Sequence, residues 1–220
     1  MSKLVIGIFG AGGHGKETLA IMQETDWFEQ NPKFMSAEIV FIETLPTVHN
    51  VHGIKVVSES EFLEIDCEQK FVVIALGDSK SRKKISERFQ KLDIEFLNVV
   101  STKSHVDQFA QIQIGAIISP LAYISTDVTI GCFFQANANS SVSHDCLIGN
   151  FVTLSPGAIL NGNVEIGNNV FIGSGAIVRN GNSSQRITIG DNSIVGMGAV
   201  VTKSIGSNLT VVGNPARQIK

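Results

Sequence analysis

The feature that most restricts this chain is a beat of six. From Val106 through Ile112, Ile118 and Ile124 to Ile172 and Val178, every sixth residue is aliphatic, with no residue inserted or lost. Two residues before most beats stands a small or apolar side chain, as at Ala116, Ala122, Val128, Cys146, Val152 and Ala158. Glycine often follows the beat, at Gly131, Gly149, Gly167 and Gly173, and the beat resumes after a slip of five at Ile189, Val195 and Val201. An α-helix repeats every 3.6 residues and a strand every 2, so neither alone produces six. A short strand plus a tight turn does, when three such units close one coil of a β-helix. The beat residues then stack inward, the small partners fill the corners, and glycine is expected to serve the turn. A coil buries its inner face only against its neighbours, so several are needed, and Val106 to Val201 supplies roughly five.

The repeat starts near the middle of 220 residues, which predicts two domains, residues 1–100 and 101–220. A mean hydropathy of +0.20 with 17% charged residues describes a well-buried globular chain, and no apolar run approaches the ~20 residues of a membrane span. Met1 to Gly7 reads as the start of a short strand, lacking the longer apolar region and cleavage site of a signal peptide. A net charge of −3 without basic clusters argues against a nucleic-acid partner. Cys67, Cys132 and Cys146 are odd in number and far apart, so neither a disulfide framework nor a metal site is expected. Cys146 falls on the small-residue position of the repeat, where corner packing accounts for it. A cytoplasmic protein is the expectation.

Before the repeat, Leu4 to Phe9 reads as a buried strand. It runs directly into Gly10-Ala11-Gly12-Gly13-His14-Gly15 and then into a helical pattern from Lys16 to Met22. A glycine-rich turn between strand and helix lets backbone approach a phosphate and offers it the free N–H groups of the helix start. Further strands are expected at 38–42, 53–57, 71–76 and 94–100, with helices at 58–65 and 79–92. This alternation implies a small parallel sheet, a Rossmann-like half domain. A full dinucleotide fold needs two such halves, which counts against a nicotinamide-linked oxidoreductase. Gly77 closes a strand where open α/β sheets bind ligands. Residues 179–186 break the beat and must loop out of the coil, and such loops are often functional. After Val201 the beat fades into what reads as an irregular tail.

One stretch of the repeat departs from its pattern: Ser143-His144-Asp145. His144 lies two residues after the inward Val142 and faces outward from a corner. Taken alone, an outward histidine is more often an idle surface residue. Its company differs here, with Asp145 adjacent and Asn137 one beat earlier on a neighbouring corner. A carboxylate beside an imidazole favours the protonated form and raises its basicity, provided the turn brings the two side chains round to each other.

The beat, the stretch His144-Asp145-Cys146-Leu147-Ile148-Gly149 and the closing Gly213-Asn214-Pro215-Ala216 resemble the left-handed β-helix acyltransferases that use acetyl-CoA. Gly12-Gly13-His14-Gly15 and the Gly77-Asp78 turn with Arg82 narrow the resemblance to the nucleotide-sugar N-acetyltransferases of the bacillosamine and perosamine pathways and the related sialic acid O-acetyltransferases. The resemblance spans nearly the whole chain. It implies His144 as general base, Asp145 as its supporting carboxylate and Asn137 as a residue positioning the amine. It also implies Gly12, Gly13, His14, Glu43, Thr44 and Gly77 in the nucleotide-sugar pocket. Thr153, Gly162, Ser174 and Met197 would meet acetyl-CoA, largely through backbone groups. The family's homotrimer places acetyl-CoA between neighbouring β-helices. Phe133, Phe134, Phe151 and Phe171 are candidates for outer faces that such a trimer covers. Thr153 stands where relatives often carry a second histidine, Glu43-Thr44 replaces an acidic pair, and the interval from Arg179 to Thr188 is longer than in near relatives.

The reading that follows is acetyl transfer from acetyl-CoA to the amino group of a nucleotide-linked sugar, a UDP-linked 4-amino sugar being the expected acceptor. An O-acetyltransferase of a sialic acid would use the same base and differ in the N-terminal pocket. A non-catalytic structural or binding β-helix would show a uniform outer face, whereas His144-Asp145 occurs once.

Overall fold

The computed structural model describes residues 4–92 and 94–219, and the chain divides into two compact units between Thr102 and Lys103. In the first unit the buried strand Leu4–Phe9 (β1) leads to the helices Gly13–Met22 (α1) and Thr25–Gln30 (α2). Strands Glu38–Glu43 (β2), Asn50–Val51 (β3) and Ile54–Ser58 (β4) follow, then helix Glu59–Glu64 (α3), strand Gln69–Ile74 (β5), helix Ser79–Phe89 (α4) and the short strands Glu95–Phe96 (β6) and Val99–Val100 (β7). The sheet runs β3-β4-β2-β1-β5-β6. It is parallel except for β3, which pairs antiparallel with β4. Because β2 lies on one side of β1 and β5 on the other, the connections reverse direction between β1 and β5. That is the switch point at which a crevice opens beyond the strand ends.

Local chemistry explains the boundaries. Ser58 caps α3 with a full capping box: its hydroxyl accepts from the Glu61 N–H and the Glu61 carboxylate accepts from the Ser58 N–H, which satisfies helix-start groups from both sides. Asp78 caps α4 by accepting from the Ser81 N–H at 2.8 Å. Helix α4 buries Arg82, Ile85, Ser86 and Phe89, the spacing of one helical face. The sequence reading missed α2. That segment, with the 3-10 turn Pro32–Phe34, seats Trp27 against Phe34 with centroids 6.0 Å apart, and Phe34 edge-on to Phe71 at 4.9 Å. The strand expected over 94–100 is broken into β6 and β7. At the exit of this unit the Glu24 carboxylate accepts from the Ser101 hydroxyl and from both the N–H and hydroxyl of Thr102.

The second unit is a left-handed parallel β-helix whose strands are mostly two residues long. Ile117 registers with Gln135, Tyr123 with Ser141 and Thr129 with Leu147, each eighteen residues on, so three units of six make one coil. The beat residues Ile118, Ile124, Ile130, Val142, Leu154 and Leu160 are all buried inside it. After Val178 the register lengthens by five: Ile166 pairs with Ile189, Ile172 with Val195 and Val178 with Val201. The insertion is therefore one loop that leaves the coil and re-enters in phase.

Three expectations need correcting. The glycines after the beat do not serve the turn. Residues with left-handed backbone stand instead three positions past each beat, at Leu121, Asp127, Phe133, Asn139, Asp145, Phe151, Asn163 and Asn169 among others. Gly149, Gly167 and Gly173 are required by close stacking: a Cβ on Gly149 would lie 2.7 Å from the Gly167 carbonyl carbon, and one on Gly173 would lie 2.5 Å from the Met197 nitrogen. Second, Phe133 and Phe134 are buried within the chain, Phe133 stacking on Phe151 at 5.1 Å, so they are not outer-face residues. Third, the C-terminal tail is ordered into strands. Thr210–Val212 continues one face beside Ile194–Val195 and pairs antiparallel with Arg217–Gln218.

Candidate functional site

At the carboxyl end of β1 the six-residue turn divides its glycines by function. Gly10 has φ +105°, and a Cβ on Gly15 would lie within 2 Å of the Gly10 carbonyl oxygen; these two are demanded by the packing of α1 against the turn. Gly12 and Gly13 have nothing within 4 Å of where a Cβ would be, so their backbone borders open space. The Glu43 carboxylate at the end of β2 accepts from the Ala11 N–H at 2.6 Å, which fixes the shape of the turn. The Thr44 hydroxyl donates to Glu59 at 3.4 Å. The crevice between β1 and β5 is thus flanked by Gly12 and Gly13 on one side and Gly77 on the other.

Two basic side chains, Arg82 and His14, lie beside the ends of these strands. Arg82 is fully buried and donates from Nη1 to the carbonyls of Leu76 at 2.7 Å and Gly77 at 3.2 Å. Burial lowers its pKa to about 10, against the opposing pull of Asp78. His14, in the first turn of α1, has Nδ1 3.5 Å from the Glu17 carboxylate, while its buried Nε2 has no hydrogen-bond partner. Burial lowers the His14 pKa, Glu17 works against that, and the Arg82 charge adds to it. Burial and the Arg82 charge thus both favour the neutral form of the His14 imidazole. The sequence marked Arg82 only as part of the resemblance. Its burial follows from position i+4 after the cap Asp78, which puts it on the inward stripe of α4.

On the β-helix, His144 and Asp145 occupy one corner. Asp145 adopts left-handed backbone with φ +59°, and this turns its side chain toward its neighbour: Asp145 Oδ2 is 2.7 Å from His144 Nδ1. The alternation that would separate consecutive residues on a strand does not hold at a turn, so the pair expected from sequence does meet. Both side chains are about half exposed, 56% and 49%. With Nδ1–H engaged by the carboxylate, Nε2 carries the free lone pair. One coil further on, the ring lies over Gly162, where a Cβ would come within 2.6 Å of both Cε1 and Nε2. Gly162 is thus the floor on which the imidazole rests, a role the sequence did not reveal. Cys146 is buried beneath the corner, its thiol donating to the Asn161 carbonyl at 3.2 Å, and burial raises its pKa. This is structural packing, as expected.

The other expected site residues are placed less directly. The Asn137 side-chain amide donates to the Leu154 carbonyl at 2.8 Å, the same rung that Asn161 makes to Val178. Thr153 is buried. Ser174 and Met197 stack on one corner in successive coils, the Ser174 carbonyl accepting from the Gly198 N–H at 2.9 Å, and Met197 is 81% exposed. That corner and the His144 corner are the two edges of the same sheet face, the face carrying Tyr123, Ser141, Ile159 and Ile177. The insertion contributes a contact that no sequence pattern signalled: the Arg186 guanidinium donates to the backbone carbonyl of Asp145.

Residues 5–89 match the PglD N-terminal domain family, and residues 145–180 match the bacterial transferase hexapeptide family of six repeats. The chain is 41% identical over 214 residues to GDP-perosamine N-acetyltransferase of Escherichia coli O157:H7, covering 97% of this chain and 96% of that protein. Among solved structures it is similar to WeeI from Acinetobacter baumannii AYE, with a TM-score of 0.91 and 37% identity over 98% of this chain and 100% of the other. The acetyltransferase domain of PglB from Neisseria gonorrhoeae FA1090 in complex with acetyl coenzyme A matches with a TM-score of 0.84 and 30% identity over 98% of each chain. An N-terminal half domain with an open glycine turn, a β-helix of six-residue units and a histidine–aspartate pair at one coil corner, joined in one chain with these likenesses, place the protein in the hexapeptide-repeat nucleotide-sugar N-acetyltransferase family.

Proposed function

We propose that the protein transfers the acetyl group of acetyl-CoA to the amino group of a nucleotide-linked 4-amino sugar, with His144 as general base. The observation that carries this reading is the exposed His144–Asp145 pair, its Nε2 free, in a chain 41% identical to an enzyme named for this reaction class. The acceptor amine loses its proton to His144 Nε2 as its nitrogen attacks the thioester carbonyl carbon. The tetrahedral intermediate then collapses, the carbon–sulfur bond breaks, and CoA leaves as thiolate, to which the imidazolium can return the proton. Asp145 stabilises the imidazolium through Nδ1–H, and such base assistance contributes ~10²–10⁴-fold. Thiolate leaves readily, so the chain needs no nucleophile of its own, and Cys146, buried with a raised pKa, is unsuited to be one.

In this reading the sugar nucleotide binds at the β1–α1 turn. The backbone of Gly12 and Gly13 approaches its phosphates, and Gly77 and the end of β2 line the rest. Ser174, Met197 and the backbone around Gly162 meet acetyl-CoA. A UDP-linked acceptor is the expectation from the sequence, whereas the likeness to a GDP-perosamine enzyme supports GDP. The test is incubation of the purified chain with acetyl-CoA and amino sugars linked to UDP, GDP and dTDP, following free thiol. Thiol release with one amino-sugar nucleotide and N-acetyl product is the expected result. Turnover with a sialic acid hydroxyl and with no amine would move the enzyme to the O-acetyl branch.

A further inference from the structure

We infer that Arg186, the last residue of the insertion, is a positioning residue for the acetyl-transfer site: it holds Asp145 so that the carboxylate keeps the His144 imidazole aimed. The inference rests on the reading of His144 as base and adds the part played by the inserted loop. Register explains how a residue 41 positions away reaches the site. The loop leaves after Val178 and the coil resumes at Ile187, which lies beside Val164. Asp145, Asn163 and Arg186 therefore stand above one another on successive coils of one corner. Two rungs of parallel strands span about 9–10 Å, a distance that needs a side chain as long as arginine. The loop turns Arg186 inward along this column, while Arg179 and Lys203 line a separate open cleft of about 430 Å³ on its outer side.

Asp145 makes a long backbone bond at its corner, and its side chain is the one that must stay aimed at an imidazole. Its left-handed φ of +59° is shared by the other corners of the coil, so the backbone bonds around it set how firmly the peptide is held. Its N–H reaches the Thr126 carbonyl of the preceding coil at 3.3 Å, a little longer than the corresponding bonds of Leu121 (3.2 Å) and Asn163 (3.1 Å) and well beyond the 2.8 Å of Phe133, Phe151 and Asn169. The guanidinium secures the same peptide corner from the following side through the Asp145 carbonyl. The loop has the stiffness to serve as an anchor. Asn182 Oδ1 accepts from the Ser184 N–H and hydroxyl and from the Gln185 N–H, and the Gly181 N–H donates to the Gly162 carbonyl at 2.9 Å. The loop is thus tied to the residue on which the His144 ring rests.

The experiment compares the unmodified chain with Arg186→Ala, Arg186→Lys, His144→Ala and the double variant His144→Ala/Arg186→Ala. The acceptor is the amino-sugar nucleotide on which the unmodified chain releases thiol fastest. Misplacing a catalytic group by an ångström can cost up to about a hundredfold, so Arg186→Ala should lower kcat by roughly tenfold or more. KM for both substrates should stay within about threefold and the thermal midpoint should be unchanged. Arg186→Lys, still a long cationic donor, should recover much of the rate. The double variant should be no slower than His144→Ala alone, because groups acting through one another are not additive. Unchanged kcat in Arg186→Ala, a defect confined to the KM of acetyl-CoA, or full additivity in the double variant would overturn the inference while leaving His144 as the base. Near-normal turnover in His144→Ala would overturn both.

Discussion

At the scale of single residues, the proposed chemistry depends on how a flat β-helix presents two adjacent side chains in one place. The left-handed φ of Asp145 cancels the alternation of a strand and swings the carboxylate onto His144 Nδ1. His144→Ala should therefore lower kcat by ~10²–10⁴-fold with little change in the KM of acetyl-CoA. Asp145→Asn, which keeps the shape, should cost less. Raising the pH should partly restore His144→Ala with an amine acceptor, since the free-base fraction of the amine grows, and steady-state rates from near neutral upward would show it. Gly162 supplies a separate test. A methyl group there would meet the imidazole within 2.6 Å, but the obstructed atoms are the tip of an exposed side chain, which can swing away without unfolding the coil. Gly162→Ala should thus keep its thermal midpoint and lose kcat by roughly tenfold. A normal kcat with a raised KM for acetyl-CoA would show that the imidazole does not depend on this floor and that Gly162 serves the cofactor alone. The histidine–aspartate pair was visible as neighbours in the sequence, but whether the two side chains meet was decided by the turn at Asp145. The role of Gly162 was not visible, because the coil length sets it beside the His144 corner without saying that the ring lies over it.

At the scale of elements, legibility followed how strongly each pattern was forced. The beat could be read because three faces must each present an aliphatic residue inward at the same step. The turns could not, because their left-handed positions admit Leu121, Phe133 and Phe151 beside the asparagines, and no local preference announces a phenylalanine there. Phe133 is held by stacking on Phe151 and by the bare Gly115 beneath it, where a Cβ would clash with its ring. Helix α2 was missed because six residues carry too little period to see. The glycine turn of the first unit is a mixed case: its position was clear, and its division of labour follows from a close approach between Gly15 and Gly10 that no local pattern signals. Gly15→Ala should destabilise the chain by about 3 kcal/mol, since its methyl meets the Gly10 carbonyl. Gly13→Leu should leave the melting midpoint in place and raise the KM of the sugar nucleotide far more than that of acetyl-CoA. Equal effects on both substrates would remove Gly13 from the nucleotide pocket. His14 adds a pH signature. Its folded pKa lies below its ordinary value of 6.5, so in the window between the two the unfolded chain binds more protons and stability rises with pH. Melting midpoints should fall as the pH drops below about 6.5, and His14→Gln should flatten that slope; an unchanged slope would show that His14 does not set it.

At the scale of the whole molecule, one chain leaves its expected reaction parts on separate edges. His144 stands at one edge of a sheet face and the Ser174–Met197 corner at the other, with Ile159 and Ile177 between them. Phe171, Ile194 and Met197 are exposed around the second edge, more apolar surface than a sheet edge facing water needs. A head-to-tail ring sets one edge of each copy against the opposite edge of the next, and closure prevents open-ended growth. We therefore expect a homotrimer in which each acetyl-CoA lies between the base of one copy and the Ser174–Met197 corner of its neighbour, to be checked first by sedimentation. Two variants then separate this arrangement from a site within one chain. His144→Ala removes the base, and Ser174→Trp obstructs the cofactor corner, so each alone should be nearly inactive. Co-expressed in equal amounts, they would form mixed rings in which a base from a Ser174→Trp copy meets an intact corner from a His144→Ala copy at about a quarter of the sites. Activity near a quarter of the unmodified level is the expected result. If base and corner served the same site within a single chain, no site in the mixture would be intact, and the mixed preparation would stay as inactive as its parents.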